Sequence, residues 1–124
     1  MIAGIGTDIA SIARFKKILE RRSDTFARRI LTDSELSIFQ SHPQQAAWLA
    51  KRFAAKEAAS KALGTGIGKV SFQHLETFSD ELGAPHMRFL GYALELQTER
   101  GIKAIHLSLS DEIEHALAFV VLEC

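Results

Sequence analysis

A chain of 124 residues with 47% hydrophobic and 24% charged residues has the size and composition of one globular domain, which we expect to span residues 1–124. The formal net charge is zero and no apolar run reaches the roughly 18–20 residues of a membrane span, so the sequence favours neither nucleic acid nor a membrane as a partner. A single cysteine, Cys124, and an N-terminus without the basic segment of a secretory signal predict a cytoplasmic protein that has no internal disulfide and no cysteine metal cluster.

The first elements are a short strand and an amphipathic helix. Residues 1–7 are apolar and contain glycine, which predicts a strand of roughly five residues. Asp8 follows directly, and capping the helix that begins near Ile9 is one possible role for it. Apolar residues then recur at helical spacing as far as about Arg22, namely Ile9, Ile12, Phe15, Ile18 and Leu19.

Two short helices precede a long central one. Residues 26–31 predict the first, and residues 32–35, Thr-Asp-Ser-Glu, carry the capping signature of the second. Residues 41–43, Ser-His-Pro, end it. The run from Trp48 to Gly66 is rich in Ala, Leu, Lys and Glu, which predicts a helix that ends at Leu63 before a glycine-rich turn.

The second half of the chain contains most of the predicted strands. Residues 70–78 and 86–90 read as a hairpin around a turn at residues 80–85, and residues 91–100 as an amphipathic helix. Residues 102–110 alternate between apolar and polar, which is typical of a half-buried strand, and residues 116–122 are apolar enough for a central strand paired to it. The order of elements predicts an α+β fold with an antiparallel sheet.

Glu57 occupies an unexpected place on the central helix. Leu49, Phe53 and Ser60 fall at spacings of four and seven, so Glu57 lies in the middle of a largely apolar face. An unpaired buried charge is costly, and this carboxylate therefore needs a compensating partner. An i,i+4 ion pair with Lys61, worth roughly 0.3–0.5 kcal/mol, is one answer.

The turn after the helix holds three glycines in five residues, Gly-Thr-Gly-Ile-Gly at 64–68. One glycine is an ordinary helix C-cap. The additional glycines allow a turn whose backbone N–H groups hold phosphate oxygens, with Lys61 and the Thr65 hydroxyl nearby. The spacing does not match a P-loop.

The first helix is strongly basic. Seven of the fifteen basic residues lie within residues 14–29, opposed there only by Glu20 and Asp24. This cluster is either a solvated basic face or a docking surface for an acidic partner. Only Phe15 and Phe26 interleave with it, which argues against nucleic acid.

Two segments together resemble a known family. The first is Gly-Ile-Gly-Thr-Asp-Ile at 4–9 with Arg14 six residues after the aspartate, and the second is Arg-Phe-Ala-Ala-Lys-Glu-Ala at 52–58 with Lys61 and the glycine turn. They are similar to the paired motifs of the 4'-phosphopantetheinyl transferases, in the short, trimeric holo-[acyl-carrier-protein] synthase branch. The order and separation of the motifs, the chain length, the turn at 80–85 and the residues at 116–123 all agree with this.

The resemblance implies a fold, a reaction and its central residues. We expect an antiparallel sheet packed around the long helix, with additional N-terminal helices. The expected enzyme passes the phosphopantetheine arm of coenzyme A to a serine of an acyl carrier protein, in support of fatty acid biosynthesis. Asp8 and Glu57 would hold Mg2+, and Lys61 would stabilise charge on the leaving group. Either a metal-held water or a carboxylate would take the serine proton.

The resemblance also implies contacts to both substrates. The residues expected to contact the nucleotide phosphates of coenzyme A are Arg52, Lys61, Gly64, Thr65, Gly66, His106 and Ser108. The residues expected to dock the acidic carrier protein are Arg14, Ile18, Arg21, Arg22, Phe26 and Arg28. The family's site lies between neighbouring subunits, so we expect a homotrimer.

One departure and two alternatives accompany this interpretation. Many family members have a histidine where this chain has Asp111, which leaves His106 as the nearer candidate. A regulatory module that binds coenzyme A or a nucleotide would need only the turn and the basic residues, and it would leave Asp8 and Glu57 unexplained. A structural protein whose basic helix binds an acidic partner is the second alternative; dependence on a divalent metal would separate the enzyme from both.

Overall fold

The computed structural model describes residues 1–22 and 24–124, and it confirms the α+β class. The N-terminal half contains strand β1 (Ile2–Ser11) and helices α1 (Ile12–Arg22), α2 (Thr25–Ile30), α3 (Asp33–Gln40) and α4 (Gln45–Leu63). The C-terminal half contains strands β2 (Leu75–Ser79) and β3 (Pro85–Phe89), helix α5 (Gly91–Glu99), and strands β4 (Ala104–Asp111) and β5 (His115–Glu123). Among the described residues, no helix is long and apolar enough to span a bilayer.

The main sheet has the strand order β1-β5-β4, and both pairings are antiparallel. Strand β5 is therefore central, as its apolar sequence predicted. Helix α4 lies across one face of this sheet and contacts all three strands. Strands β2 and β3 form a separate hairpin, and helix α3 and helix α4 both contact β2.

Strand β1 has two chemically different faces. Side chains alternate along a strand, so Gly4, Gly6 and Asp8 face helix α4 while Ile5 and Ile9 face away from it. The two glycines are needed because the backbone of α4 passes directly over them. A Cβ atom on Gly4 would overlap the carbonyl oxygen of Ala62, and one on Gly6 would overlap that of Ala58.

Strand β1 is longer than the sequence indicated. The predicted helix start near Ile9 is wrong, because pairing with β5 continues from Ile2 to Ser11 and α1 begins at Ile12. Asp8 consequently lies inside a strand, opposite Ala118, and does not cap a helix. Ile5, Thr7 and Ile9 are β-branched and alternate with a period of two, which fits a strand. Ile9 also lies three residues before Ile12, and this helical spacing led to the earlier predicted start.

The hairpin also begins later than predicted. Residues 72–74 form a 3-10 turn, so the strand expected from residue 70 starts only at Leu75. The Ser71 N–H donates to His74 Nδ1 at 3.1 Å, and this side-chain contact stabilises the turn in place of a strand. The short helix at 26–31, the capping box at Thr32 and the turn at 80–85 are confirmed within a residue or two.

The glycine contact predicts the effect of adding one methyl group. Gly6→Ala should lower the free energy of unfolding by about 1–3 kcal/mol, because α4 has to move away from β1 to admit the Cβ atom. Chemical denaturation measures this loss. Gly68→Ala is the matched control, since a Cβ atom there meets no neighbour within 4 Å. Equal stability of the two variants would contradict the close contact.

Candidate functional site

The side chains of Asp8, Glu57 and Lys61 form a cluster where strand β1 meets helix α4. Lys61 Nζ lies 3.1 Å from Asp8 Oδ1 and also donates to the Thr7 carbonyl oxygen at 3.0 Å. The ion pair that was the alternative explanation for Glu57 is wrong, because the partner of Lys61 among the described residues is Asp8 on the strand. One face of the helix and one strand position therefore converge, as the motif positions suggested.

The electrostatics of the cluster leave one carboxylate poorly compensated. Burial raises the pKa of Glu57, and the nearby Asp8 carboxylate raises it further, while Lys61 opposes both effects. Two carboxylates beside each other with a single ammonium group carry excess negative charge. Such a pair attracts a further cation.

The donor set fits a hard divalent cation. Asp8 and Glu57 offer carboxylate oxygens, which Mg2+ prefers, and Mg2+ is commonly held by one or two carboxylates with water and phosphate oxygens as its other ligands. The described residues contain no group of three or more His, Cys, Asp or Glu side chains placed to hold a metal. A two-carboxylate site of this kind leaves room for a phosphate-bearing substrate.

The backbone N–H groups of the glycine turn are bonded to the end of helix α4. The Gly64 N–H donates to Lys61 O at 2.9 Å, and the N–H groups of Thr65 and Gly66 donate to Ser60 O at 3.1 and 3.2 Å. In this structure the three N–H groups are therefore bonded within the chain, and their role as phosphate donors stays a prediction. Gly64 and Gly66 take the left-handed conformation, with φ of 76° and 64°, which lets the turn fold back on the helix end.

Arg52 lies on the opposite flank of α4 from the cluster. Arg52 lies five positions before Glu57, which places it about 140° away around the helix axis. Its guanidinium packs 4.6 Å from the Trp48 ring centroid, and its Nε atom is buried without a hydrogen-bond partner in the described structure. Burial lowers the pKa of Arg52, and Glu35 partly offsets this. Within a single chain, Arg52 therefore lies away from Glu57 and the rest of the cluster.

His106 and Ser108 lie on the outer face of the sheet. They pair with Val121 and Phe119, on the side away from α4 and hence away from Asp8. His106 Nε2 lies 2.9 Å from Glu123 Oε1. A single chain therefore separates these two predicted phosphate contacts from the carboxylates by the thickness of the sheet.

Asp111, the departure noted in the sequence, forms an ion pair with Lys51. Its Oδ1 atom lies 3.4 Å from Lys51 Nζ. Both side chains are partly exposed, so the pair contributes little to stability. It joins the tip of the β4–β5 hairpin to helix α4.

The basic face of α1 forms an open groove beside the end of β1. The groove has a volume of about 390 Å³, and its lining residues are Ser11, Ala13, Arg14, Lys17, Ile18 and Arg21. Arg14, Arg21 and Arg22 are exposed, and Ile18 is half-buried. The structure thus brings Arg14, Ile18 and Arg21 together on one surface.

Phe26 and Arg28, the other two predicted docking residues, have partners within the chain. The Phe26 ring is half-buried, and its centroid lies 6.0 Å from that of the Phe15 ring and 6.4 Å from that of the Phe53 ring. Arg28 forms an exposed ion pair with Asp24 at 3.1 Å. Phe26 therefore contributes to an aromatic cluster beneath α1 as well as to the surface.

Comparisons with known proteins identify the family. A model of the 4'-phosphopantetheinyl transferase superfamily matches residues 4–120. The chain belongs to this superfamily. The expected family and the transferase class are thereby confirmed.

Individual members of the superfamily resemble the chain over its whole length. A holo-[acyl-carrier-protein] synthase of Vibrio cholerae is 56% identical over 124 residues, which cover 99% of this chain and 98% of the relative. The holo-[acyl-carrier-protein] synthase of Neisseria meningitidis shares its fold with a TM-score of 0.93, 46% identity and complete coverage of both chains. The Helicobacter pylori enzyme, solved in complex with coenzyme A, has a TM-score of 0.84 and 34% identity over 96% of this chain and 99% of that one.

Sequence reasoning missed one charged group next to the cluster of Asp8, Glu57 and Lys61. Lys56 precedes Glu57 and is fully buried, with its Nζ atom 2.6 Å from Oε1 of the buried Glu35. The available signal was spacing, because Lys56 stands seven residues from both Leu49 and Leu63, which are buried on the same side of α4. That spacing indicates a buried lysine but does not reveal its partner.

The raised pKa of Glu57 predicts a pH-dependent effect on stability. A carboxyl group whose pKa is raised in the folded state favours folding when protonated, and this contribution is lost as pH rises above its ordinary value of 4.5. Metal-free Glu57→Gln should therefore be more stable than wild type at about pH 8, and the difference should vanish below the ordinary pKa. Thermal denaturation in a chelator across this range measures it; a constant difference would contradict the repulsion between the two carboxylates.

Proposed function

We propose that this chain transfers 4'-phosphopantetheine from coenzyme A to a serine of an apo-acyl carrier protein, in the cytoplasm and in support of fatty acid biosynthesis. The proposal rests on one observation: the side chains of Asp8, Glu57 and Lys61 cluster together in a chain that belongs to the superfamily. The Vibrio cholerae relative is named for the same activity, and the Helicobacter pylori relative was solved with coenzyme A.

Asp8 and Glu57 would hold Mg2+ at this point, and Lys61 would contact the diphosphate. When bound, Mg2+ neutralises charge on the diphosphate of coenzyme A. Lys61 is held by Asp8 and by the Thr7 carbonyl oxygen, so its ammonium group is already placed at the strand edge before substrate arrives. A cation placed in advance stabilises developing charge without reorganisation during the reaction.

The transfer exchanges one phosphorus–oxygen bond for another. The serine oxygen bonds to the phosphorus that carries the pantetheine arm, and the bond from that phosphorus to the bridging oxygen breaks. Adenosine 3',5'-bisphosphate leaves with the electron pair. The serine proton passes to a carboxylate or to a water molecule at the site, and Lys61 offsets the charge of the departing phosphate.

The proposed active form is a homotrimer with its sites between subunits. The outer sheet face supports this, since Ile5 and Ile9 are each 62% exposed and Leu117 and Phe119 are 44% and 43% exposed. An apolar face of this kind is typical of a protein interface. A cavity of about 370 Å³ borders both this face and Lys61, and its lining residues are Ile5, Gly6, Thr7, Lys61 and Phe119.

A second copy of the chain on that face could supply the predicted phosphate contacts that lie far from Asp8 within one chain. His106 and Ser108 lie on the outer face, away from Asp8, but a neighbouring copy packed there would bring its own face to the edge of β1. Lys61 reaches that edge. The contacts that we assign to Arg52, His106 and Ser108, and to the turn at Gly64, Thr65 and Gly66, thus remain proposals for the assembled enzyme.

The basic groove on α1 is the proposed docking surface for the carrier protein. Arg14, Lys17 and Arg21 surround Ile18 there, which offers positive charge around an apolar contact. An acidic helix fits this combination, and exposed charges of this kind raise the rate of encounter. The groove begins at Ser11, three residues beyond Asp8, so a docked carrier would lie close to the cluster.

Turnover of carrier protein tests the proposal directly. Incubation of apo-acyl carrier protein with the chain, coenzyme A and Mg2+ should add the mass of one phosphopantetheine to the carrier, as measured by intact-mass spectrometry. Asp8→Asn and Glu57→Gln should each lower the rate by about 100-fold or more, since each removes a charged ligand from the diphosphate site. A chelator should abolish the reaction. Full turnover without a divalent metal would rule out the role of the two carboxylates.

Arg14→Glu separates docking from chemistry in the same assay. This variant should raise the KM for carrier protein severalfold at low salt and leave the KM for coenzyme A unchanged, because Arg14 lies on the groove and outside the cluster. An unaltered KM for the carrier would reject the groove as its docking surface. If the wild-type chain binds coenzyme A but modifies no carrier, the binding-module alternative would replace the transferase.

The assembly makes a separate prediction. Phe119→Glu should convert a particle with three times the mass of one chain into monomers and abolish transfer, because a charge would be buried in the apolar contact. Light scattering after size-exclusion chromatography measures the mass. Leu82→Glu, at the exposed tip of the β2–β3 hairpin, is the control and should remain assembled. An active Phe119→Glu monomer would refute the shared site.

A further inference from the structure

The buried Lys56 is bonded to three different parts of the chain. Its Nζ atom lies 2.6 Å from Glu35 Oε1, 2.9 Å from the Ile30 carbonyl oxygen and 3.0 Å from the Phe72 carbonyl oxygen. An ammonium group has three donors, so all of them are used. Lys56 therefore joins α4 to the end of α2, to α3 and to the 3-10 turn before β2.

Glu35 is equally well satisfied on the other side of the pair. Its Oε1 atom also accepts from the Thr32 N–H at 2.9 Å, and its Oε2 atom accepts from the N–H and hydroxyl of Thr77 at 2.7 and 2.6 Å. Four donors match the capacity of a carboxylate. All donors of Lys56 and all acceptor positions of Glu35 are used, so a shift of either side chain would break hydrogen bonds. Removal of either partner would leave a buried polar group unpaired.

This contact constrains the rotation of α4 about its own axis. Lys56 and Glu57 are consecutive residues, about 100° apart around the helix. Rotation of the helix that moved Glu57 away from Asp8 would pull Lys56 out of its three bonds. The contact of Gly4 and Gly6 with α4 sets how closely the helix approaches the strand, and Lys56 adds directional hydrogen bonds that sliding apolar contacts lack.

We propose that Lys56 and Glu35 are positioning residues for the transferase site: their buried pair holds α4 in the rotation that places Glu57 and Lys61 against Asp8. Neither residue touches substrate. The inference rests on the proposed function, because it concerns the cation that Asp8 and Glu57 would share. It differs from a purely structural role, in which the pair contributes stability and any folded variant binds the cation normally.

The affinity for Mn2+ in the presence of coenzyme A tests the proposal independently of turnover. Free Mn2+ is measured by electron paramagnetic resonance with wild type, Lys56→Met and Glu35→Gln, at a temperature where circular dichroism shows each to be folded. We expect the Kd for Mn2+ to rise about tenfold or more in both variants, as for other groups that orient metal ligands. The kcat should fall, and the KM for carrier protein should stay unchanged because the α1 groove is not altered.

A destabilised control separates positioning from stability. Ile102 lies in the connection between α5 and β4 and its side chain is buried in the core, so Ile102→Ala should lower the Tm while leaving the Kd for Mn2+ at the wild-type value. Wild-type affinity in folded Lys56→Met and Glu35→Gln would overturn the inference, as would failure of both variants to fold, which would make the pair a determinant of stability alone. Absence of Mn2+ binding by wild type itself would instead reject the metal role of Asp8 and Glu57.

Discussion

The close approach of helix α4 to strand β1 is the constraint on which the site depends. Gly4 and Gly6 lack side chains where the helix backbone passes over the strand, so Ala58 and Ala62 rest directly on it. Asp8 is the next residue on the same face of β1. Its carboxylate therefore meets helix side chains at short range, and Lys61 can bond both its side chain and the neighbouring Thr7 carbonyl oxygen. The two glycines of the first motif thus serve the aspartate that follows them.

The opposite side of the helix is held by charge rather than by close packing. Lys56 is fully buried, and burial lowers its pKa while Glu35 raises it. A buried pair of this kind costs desolvation and is weak evidence of added stability, but its hydrogen bonds are directional. Helix α4 thus packs against the two glycines of β1 on one side and is held by the Lys56–Glu35 ion pair on the other. The carboxylate of Glu57 lies between these contacts, where burial and Asp8 raise its pKa and make it receptive to a cation.

The arrangement of the sheet explains why a single chain does not bring all the predicted site residues together. Alternation along β1, β5 and β4 sends the carboxylate cluster to one face and His106 with Ser108 to the other. The second face also carries the exposed apolar side chains Ile9 and Phe119. The proposed reaction moves the phosphopantetheine arm of coenzyme A to a carrier protein, and groups on both faces could take part in it only where the faces meet at an edge. Lys61, bonded to the edge carbonyl of Thr7, lies at that place.

The amino-acid sequence by itself determined the fold class and most helix limits, because caps, glycines and periodicity act over a few neighbouring residues. The family followed from the two motifs, and the resemblance also singled out Asp8, Glu57 and Lys61, which the structure brings together. Thr32 and Gly64 delimit their helices through such local bonds. Only the tertiary structure decided the length of β1, since its residues 8–11 become strand by pairing with a segment more than a hundred residues away. The same holds for the partner of Lys61 and for the burial of Lys56, whose acceptors lie far from it in sequence. Contacts of this kind depend on the meeting of surfaces, which local pattern does not encode.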